Sequence, residues 1–297
     1  MSSPEERAAG AADRVFARLQ EALPQHLLSR AMYRLARSKR PAIRNAAIGG
    51  LLRAYPQIDM SEAQEPDPYR YPSFNAFFTR ALRAGVRPLA PAPDVLVSPV
   101  DGTLSQFGAI DSGRLLQAKG LEYAAAALLG SAAAAARFAS GRFACIYLAP
   151  YDYHRIHMPI DARLRGTRYV PGRLFSVNAA TARTIPGLFG INERVVCEFD
   201  TRDGALALVM VGALFVGGIE TVYAGEVNPP AQRGGRPHEI VAGQGLALKK
   251  GAELGRFNLG STVVLLWQET VGRFAPGLVP GARLRLGQFL AGPGAPA

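Results

Sequence analysis

The chain has 297 residues, 48% of them hydrophobic, and it carries a formal net charge of +11. This composition excludes a disordered chain, and the length allows one large domain with an appended segment. The excess of positive charge favours a polyanionic partner, either a nucleic acid or an anionic membrane surface. The cysteines, Cys145 and Cys197, each lie in an apolar run, so we exclude a disulfide framework and a Cys-x-x-Cys zinc site. Both are expected to be buried free thiols.

No stretch of the sequence has the length and hydropathy of a membrane span. The first ten residues are polar and lack the apolar core of a signal peptide. The longest uncharged run, 204–219, is shorter than the roughly 20 residues that cross a bilayer, and it contains four glycines. Any contact with a membrane is therefore expected to be peripheral.

Residues 12–55 have the pattern of about three short amphipathic helices, interrupted at Pro24 and Pro41. The middle helix has an apolar face and a basic face. The apolar face holds Leu27, Leu28, Ala31, Met32, Leu35 and Ala36. The basic face holds Arg30, Arg34 and Arg37. Residues 14–53 contain nine lysines or arginines against one acid, Glu21. An apolar stripe flanked by cations is typical of a helix lying in a membrane interface. The alternative is that these helices pack on the domain and present a solvated basic face.

We divide the chain into a basic amphipathic helical membrane-docking segment, residues 1–60, and a domain that spans residues 61–297. Proline-rich residues 60–72 are predicted to link the two. Ser73 then caps a predicted helix with an apolar face formed by Phe74, Phe77, Phe78, Ala81 and Leu82.

From Val95 onward the pattern is mainly that of short β-strands. Apolar runs separated by Gly, Pro, Asp and Asn predict strands at 95–97, 143–148, 195–199, 206–211 and 263–267. One alanine-rich helix is predicted at about 123–137. Residues 228–245, rich in Pro, Gly and Arg, are predicted to form an exposed loop.

Two histidines, His154 and His157, lie just after the predicted strand 143–148. A loop that follows a strand is a common position for catalytic groups. A metal site would need further close ligands, and Asp152 alone is an insufficient candidate, so we predict no metal.

Two further pairs of residues could carry chemistry or form plain turns. Asp101 precedes Gly102 in the segment 98–106. Gly260 precedes Ser261 at the start of the last apolar run, and its carbonyl has no side chain beside it to block approach. The Ser261 hydroxyl could therefore attack that carbonyl and exchange the amide for an ester.

Five motifs occur in the order and spacing of the phosphatidylserine decarboxylases, which the chain resembles from about residue 20 to residue 270. They are Asp-Gly-x-x-Ser-Gln at 101–106, Tyr-His-Arg-x-His-Met-Pro at 153–159, Pro-Gly-x-Leu-Phe-Ser-Val-Asn at 171–178, Asn-Glu-Arg-Val-Val at 192–196 and Gly-Arg-Phe-x-Leu-Gly-Ser-Thr at 255–262. Residues 59–63 and 74–78 are similar to the bacterial membrane-bound branch of the family. Arg173 and Asn258 depart from the usual pattern, which puts the fit to substrate in question more than the activity.

The resemblance implies a proenzyme that cuts itself between Gly260 and Ser261, giving a large chain, 1–260, and a small chain, 261–297. Ser261 is the implied nucleophile, His157 its base and Asp101 the group that orients the base. The implied cofactor is a pyruvoyl group generated from Ser261. The implied fold is α+β, with a mainly antiparallel, barrel-sandwich-like catalytic domain and peripheral helices.

The implied reaction converts phosphatidylserine to phosphatidylethanolamine through a Schiff base on the pyruvoyl group. His154 carries over to the decarboxylation stage, for proton delivery or for orientation of the carboxylate. Four residues are candidates for the head-group pocket and equally for core packing: Tyr151, Tyr153, Met158 and Phe175. The implied partners are an anionic membrane surface on the cytoplasmic side and a second copy of the cut pair, forming a homodimer.

Three alternatives stay open at this point. The chain could be a pyruvoyl-dependent decarboxylase of another serine lipid or a non-catalytic lipid-binding module. The Lys249-Lys250-Gly251 turn also suggests a biotinyl or lipoyl carrier, although a carrier needs neither Asp101 nor His157. Nucleic-acid binding is disfavoured, because the positive charge alternates with an apolar stripe rather than with exposed aromatic residues.

Overall fold

The structure, a computed structural model, describes residues 10–118, 121–215, 218–227, 235–242, 245–259 and 261–293. The prediction of three short N-terminal helices is confirmed: α1 spans Ala11–Ala22, α2 Gln25–Ala36 and α3 Pro41–Ala54. Both prolines stand at helix starts, where the missing N–H leaves no helical hydrogen bond unmade. Within the described ranges, no helix has the length and apolar character needed to cross a membrane.

Helix α4, Phe74–Phe78, begins as predicted at Ser73, whose Oγ accepts a hydrogen bond from Ala76 N at 3.1 Å. Short 3₁₀ turns precede it at Met60–Glu62 and Pro68–Arg70. The helix is shorter than the predicted apolar face, because it ends before Leu82, which instead bridges to Ala63.

The remaining elements alternate strands with short helices. Helices α5 to α8 span Ala125–Leu129, Ala132–Ala136, Ala179–Thr184 and Leu188–Ile191. Strands β1 to β9 span Leu96–Val97, Gly102–Ala109, Arg114–Ala118, Leu121–Ala124, Arg142–Leu148, Arg155–His157, Ala162–Val170, Arg194–Thr201 and Ala205–Val211. Strands β10 to β18 span Ile219–Thr221, Gly225–Glu226, His238–Ala242, Ala247–Leu248, Glu253–Phe257, Ser261–Trp267, Arg273–Phe274, Arg283–Leu284 and Phe289–Gly292.

The largest sheet, here the main sheet, has the strand order β12-β7-β8-β9-β15-β5-β2-β17, and all of its pairings are antiparallel. Its central strand, β15, is buried along its whole length. Alternate residues of β15 face two different core layers, with Val263, Leu265 and Trp267 in one and Val264 and Leu266 in the other. This period of two is what a strand covered on both faces requires.

Three smaller sheets surround the main sheet. Their strand orders are β1-β18-β16, β11-β10-β14-β6 and β3-β4. The fold is therefore α+β with antiparallel sheets, as predicted. The main sheet is an open path rather than a closed ring across the described residues, so the barrel-sandwich description stays a prediction.

Two predictions about secondary structure are wrong. The alanine-rich segment forms two helices, α5 and α6, because Gly130 adopts a left-handed conformation with φ of +64° between them. A Cβ at Gly130 would lie 2.7 Å from Val170 Cγ2, so this turn needs a glycine. Part of the predicted loop at 228–245 is also ordered, since β12 pairs with β7. Residues 228–234 and 243–244 lie outside the described residues.

The N-terminal helices are bound to the domain by polar contacts. Gln20 Oε1 and Gln25 Oε1 accept hydrogen bonds from the backbone N–H groups of Ser176 and Leu174, at 2.8 and 2.9 Å. Arg37, the residue after α2, forms an ion pair with Glu226 at 2.9 Å. These contacts place α1 and α2 against the loop that carries the Pro-Gly-x-Leu-Phe-Ser-Val-Asn motif.

Candidate active site

Ser261 is the first residue of β15, where the chain passes from the small sheet that contains β14 into the main sheet. It pairs with Leu148 of β5. Its side chain is 1% exposed, and within the described residues Ser261 Oγ has no hydrogen-bond partner. Because buried hydroxyl groups normally have a partner, this Oγ is available for a reaction. Gly260, the other half of the predicted cut bond, lies outside the described residues.

The backbone beside Ser261 is strained. Leu259 has a φ of +123°, and Phe215 has a φ of +69°. These conformations disfavour any residue with a Cβ and cost roughly 1–3 kcal/mol each. Both residues line the same cavity as Ser261, so strain is concentrated at this site.

An apolar cavity of about 560 Å³ has Ser261 in its lining. One wall comes from α2 and α3, through residues such as Met32, Leu35, Ala47 and Leu51. Phe74 and Phe78 of α4 line it from another side, four residues apart and so on one face of the helix. The volume is within the range of sites that bind small molecules, and the lining suits hydrocarbon. We call this the apolar cavity.

His154 is completely buried and lies beside the apolar cavity. Its ring centroid is 4.1 Å from that of Phe78, which lines the cavity. His154 Nδ1 donates to the backbone oxygen of Asp152 at 2.8 Å, so the lone pair of the neutral ring is on Nε2. Nε2 has no hydrogen-bond partner within the described residues. Burial lowers the pKa of His154 to about 3, which keeps the ring neutral at pH 7.

His157 differs from His154 in having both ring nitrogens bonded. Nδ1 donates to the carbonyl of Gly251 at 2.8 Å, and Nε2 therefore accepts from the Tyr153 hydroxyl at 3.1 Å. Burial lowers the pKa of His157 as well. Because β6 pairs with β14 in antiparallel register, His157 lies opposite Glu253. The backbone oxygen of His154 accepts a hydrogen bond from the backbone N–H of Phe257. His154 is thus at the end of β14 from which the chain continues to Ser261.

Asp101 is buried and is held by Arg87. The Arg87 guanidinium donates to both carboxylate oxygens, with the shortest contact 2.7 Å, and Leu286 N donates to Oδ1 at 2.8 Å. Arg87 also binds Glu62 at 2.7 Å. Burial lowers the pKa of Arg87, but its hydrogen bonds to Asp101 and Glu62 raise it by more, so the pKa lies above its ordinary value.

The structure does not join the predicted triad by direct hydrogen bonds. Asp101 binds Arg87, His157 binds Tyr153, and Ser261 Oγ is unpartnered within the described residues. Tyr153 and Asp101 line one polar cavity of about 590 Å³, and Tyr153 also contacts His157 Nε2. Catalytic hydrogen bonds often form only in the reacting complex, so the triad stays a prediction.

Asp152 lines the same polar cavity and pairs with Arg283. Burial raises the pKa of Asp152, while Arg283 opposes this effect. The described residues contain no cluster of three or more His, Cys, Asp or Glu that could hold a metal ion. Cys145 and Cys197 are buried and are not joined in a disulfide, as predicted.

The four candidates for the head-group pocket do not line the apolar cavity. Met158 and Phe175 pack in the two core clusters. Tyr151 and Tyr153 line the polar cavity. Their role in binding substrate stays a prediction.

The carrier alternative finds no support at the Lys249-Lys250 turn. Lys249 pairs with Asp161 at 2.7 Å, and Lys250 donates to the carbonyls of Ala90 and Ala92 at 2.8 and 2.7 Å. Lys250 is thus held against the domain surface rather than presented to a partner.

Sequence analysis missed two contributions to the site. Arg87, the partner of Asp101, lies 14 residues before it and carries no local signal. Phe74 and Phe78 were predicted as part of an apolar helix face but not as a cavity wall, although their spacing on one face could have indicated it.

Comparison with known proteins gives consistent matches. The family model described as Phosphatidylserine decarboxylase matches residues 74–292, and a second family model, described as PSD, matches residues 15–56. A protein of Shewanella denitrificans named phosphatidylserine decarboxylase proenzyme is 51% identical over 283 residues, covering 94% of this chain and 98% of the relative. Proteins of the same name are 52% identical in Shewanella baltica, covering 94% of this chain and 97% of the relative, and 50% identical in Alcanivorax borkumensis, covering 92% and 94%.

Proposed function

The chain belongs to the phosphatidylserine decarboxylase family, and we propose that it is a proenzyme that cuts itself and then decarboxylates phosphatidylserine to phosphatidylethanolamine. The observation that carries this proposal is the placement of Ser261. Its unpartnered Oγ lies in an apolar cavity of about 560 Å³ that α2 and α3 help to enclose. A reactive serine in a cavity suited to hydrocarbon is what a lipid substrate requires.

In the proposed self-cleavage, Ser261 Oγ attacks the Gly260 carbonyl and the amide is exchanged for an ester. His157 takes the hydroxyl proton, and Asp101 orients it. Loss of the Ser261 Cα proton then releases the Gly260 carboxylate, and hydrolysis releases ammonia to leave a pyruvoyl group on the small chain. Because Tyr153 occupies the lone pair of His157 Nε2, this hydrogen bond must open before His157 can act as a base.

The lining of the apolar cavity fits a pyruvoyl group, since it provides a buried position with little competition from water. When formed, that group supplies a carbonyl system that accepts the electron pair left as CO₂ departs. His154 is neutral because of its burial, and it therefore begins as a proton acceptor at Nε2. We assign it the proton of the substrate's ammonium group, which it then returns to the carbon that lost CO₂.

The N-terminal helices are proposed to dock the enzyme on an anionic membrane as a peripheral protein on the cytoplasmic side. Large apolar side chains of α1 and α2 are exposed, including Leu19 at 62% and Leu27 at 64%. They lie in the part of the chain that has nine basic residues against one acid between positions 14 and 53. Apolar insertion combined with attraction to anionic lipid is the usual basis of such docking.

A cleavage assay tests the proposed function. Ser261→Ala should leave one full-length chain on a denaturing gel and in an intact-mass measurement, whereas the wild-type protein gives two chains and releases CO₂ from phosphatidylserine. Ser61→Ala, a change at an exposed serine, serves as the matched control and should be cut normally. Two chains from Ser261→Ala would refute the assigned bond, and release of CO₂ only from another serine lipid would favour the alternative substrate.

A vesicle assay tests the docking proposal. Leu19→Asp combined with Leu27→Asp should reduce cosedimentation with phosphatidylglycerol vesicles, because both changes remove apolar surface and add negative charge. Val279→Asp adds one such charge at a residue that is 57% exposed on the domain, and it should leave binding unchanged. Equal binding by all three proteins would exclude a role for these helices. The homodimer stays a prediction, for analytical ultracentrifugation to decide.

A further inference from the structure

Arg80 is a buried arginine whose charge is only partly compensated: burial lowers its pKa, and the carboxylates of Glu62 and Asp101 oppose this effect without pairing with it. The residue is 5% exposed, its Nε has no hydrogen-bond partner, and within the described residues its guanidinium forms no ion pair. Its guanidinium carbon lies 5.5 Å from the centroid of the Phe77 ring. An unpaired buried charge is strongly destabilising unless a ligand compensates it.

Two other arginines with little exposed surface, Arg87 and Arg194, have partners for their donor groups. Arg87 binds the carboxylates of Asp101 and Glu62. Arg194 is 2% exposed and donates to backbone carbonyls, including that of Leu128 at 2.5 Å. The state of Arg80 is therefore specific to its position and is not a general property of arginines in this fold.

Arg80 lines two cavities, and their charges differ. The polar cavity is lined by four arginines and four acids, and two ion pairs, Arg87–Asp101 and Arg283–Asp152, are formed there. The second cavity, of about 380 Å³, is lined by three arginines and a single acid: Arg80, Arg155, Arg256 and Glu65. We call the second cavity the cationic cavity.

The neighbouring arginines of the cationic cavity share their counter-charges. Arg155 contacts Glu253 at 2.8 Å, and Arg256 contacts the same Glu253 at 3.4 Å. Arg256 also contacts Glu220 at 3.5 Å, but its Nε has no hydrogen-bond partner within the described residues. These acids thus pair with Arg155 and Arg256, and among the described residues Arg80 is the arginine of this cavity that forms no ion pair.

Helix α4 separates the cationic cavity from the apolar cavity. Phe74 and Phe78 face the apolar cavity, whereas Asn75 and Thr79 face the cationic one. Asn75 Nδ2 donates to Asn258 Oδ1 at 3.1 Å, which connects the cationic cavity to the segment that precedes Ser261.

We propose that the cationic cavity is a phosphate-binding site centred on Arg80 and distinct from the apolar cavity. A planar guanidinium binds phosphate oxygens through two parallel hydrogen bonds, and Tyr71 and Asn75 add polar groups to the lining. The phosphate group comes from inorganic phosphate or from the head group of an anionic phospholipid. This inference does not depend on the decarboxylation chemistry.

Thermal unfolding of the purified full chain tests the proposal, with phosphate added at constant ionic strength. Phosphate should raise the midpoint of the wild-type protein by several degrees, because a ligand that binds only the folded state stabilises it. Arg80→Gln should lose this response and, without phosphate, unfold no lower than the wild type, since it removes a buried charge that forms no ion pair. Arg202→Gln, at an exposed arginine that does not line the cationic cavity, is the matched control and should respond as the wild type does.

A second arm identifies the source of the phosphate group. Phosphatidylglycerol vesicles are tested beside inorganic phosphate. The site is assigned to a lipid head group if the vesicles raise the unfolding midpoint of the wild type but not of Arg80→Gln, and inorganic phosphate raises neither. If Arg80→Gln does not fold, Arg80→Lys should keep a weaker phosphate response. Equal responses of wild type and Arg80→Gln to both additives, or no response by either, would overturn the proposal. The uncut Ser261→Ala protein should give the same phosphate response, so failure of the cleavage proposal can be told apart from failure of this one.

Discussion

His154 and His157 are three residues apart, yet the fold gives them different surroundings. His154 packs against Phe78 and keeps an unpartnered Nε2, while His157 has both nitrogens bonded, to Gly251 and Tyr153. An odd spacing in extended backbone turns two side chains to opposite faces, so one short segment can serve an apolar cavity and a polar one. Two histidines in one motif are therefore suited to two separate steps.

Single substitutions should divide these steps with the largest effects. His157→Ala is expected to slow self-cleavage by about 10²–10⁴-fold, which is the usual contribution of a positioned general base. His154→Ala, in material that is still cut, should slow release of CO₂ over a similar range. Gel densitometry and CO₂ release measure the two rates. Equal loss of both steps in both variants would remove the distinction between the two histidines.

The pH dependence of stability should sharpen the comparison. The pKa of His154 falls from 6.5 to about 3 on folding, so between these values the unfolded chain binds a proton that the folded chain does not. The contribution of His154 is therefore fully present above pH 6.5 and is lost as pH falls, by roughly 2 kcal/mol at pH 5. Urea titrations at pH 7 and pH 5 should show a smaller loss for His154→Gln than for the wild type. An identical loss in both proteins would contradict the buried neutral ring.

The smallest expected effect concerns Tyr153. Tyr153→Phe removes the hydrogen bond to His157 Nε2 and frees the lone pair that the base needs. A hydrogen bond of this kind contributes about 1 kcal/mol, so self-cleavage should become roughly five-fold faster. A time course of precursor loss after synthesis measures the rate. Slower cleavage would show that Tyr153 supports the base and does not restrain it.

Local patterns in the sequence were sufficient for much of the fold. Helical periodicity and Pro24 and Pro41 located the three N-terminal helices, and the run 263–267 located the central strand. The single alanine-rich helix was a wrong prediction, because the contact that requires Gly130 to turn comes from Val170, far along the chain. Helical propensity carries no information about such a contact.

The site was less predictable than the fold, because it is assembled by contacts between distant segments. Its candidate residues came from the family resemblance. The ion pair between Asp101 and Arg87 and the hydrogen bond between Tyr153 and His157 depend instead on side-chain packing. The unpartnered Nε of Arg80 was equally hidden, since an arginine in sequence gives no sign of whether it will form an ion pair.

The position of Ser261 at the head of the central strand has a consequence for the mature protein. The fragment that would begin there is threaded between β5 and β9, and its first seven residues are all inaccessible to solvent. After the peptide bond is cut, the small chain would therefore stay paired with two strands of the large chain. The two chains would co-elute in any separation under native conditions and would dissociate only when the core unfolds.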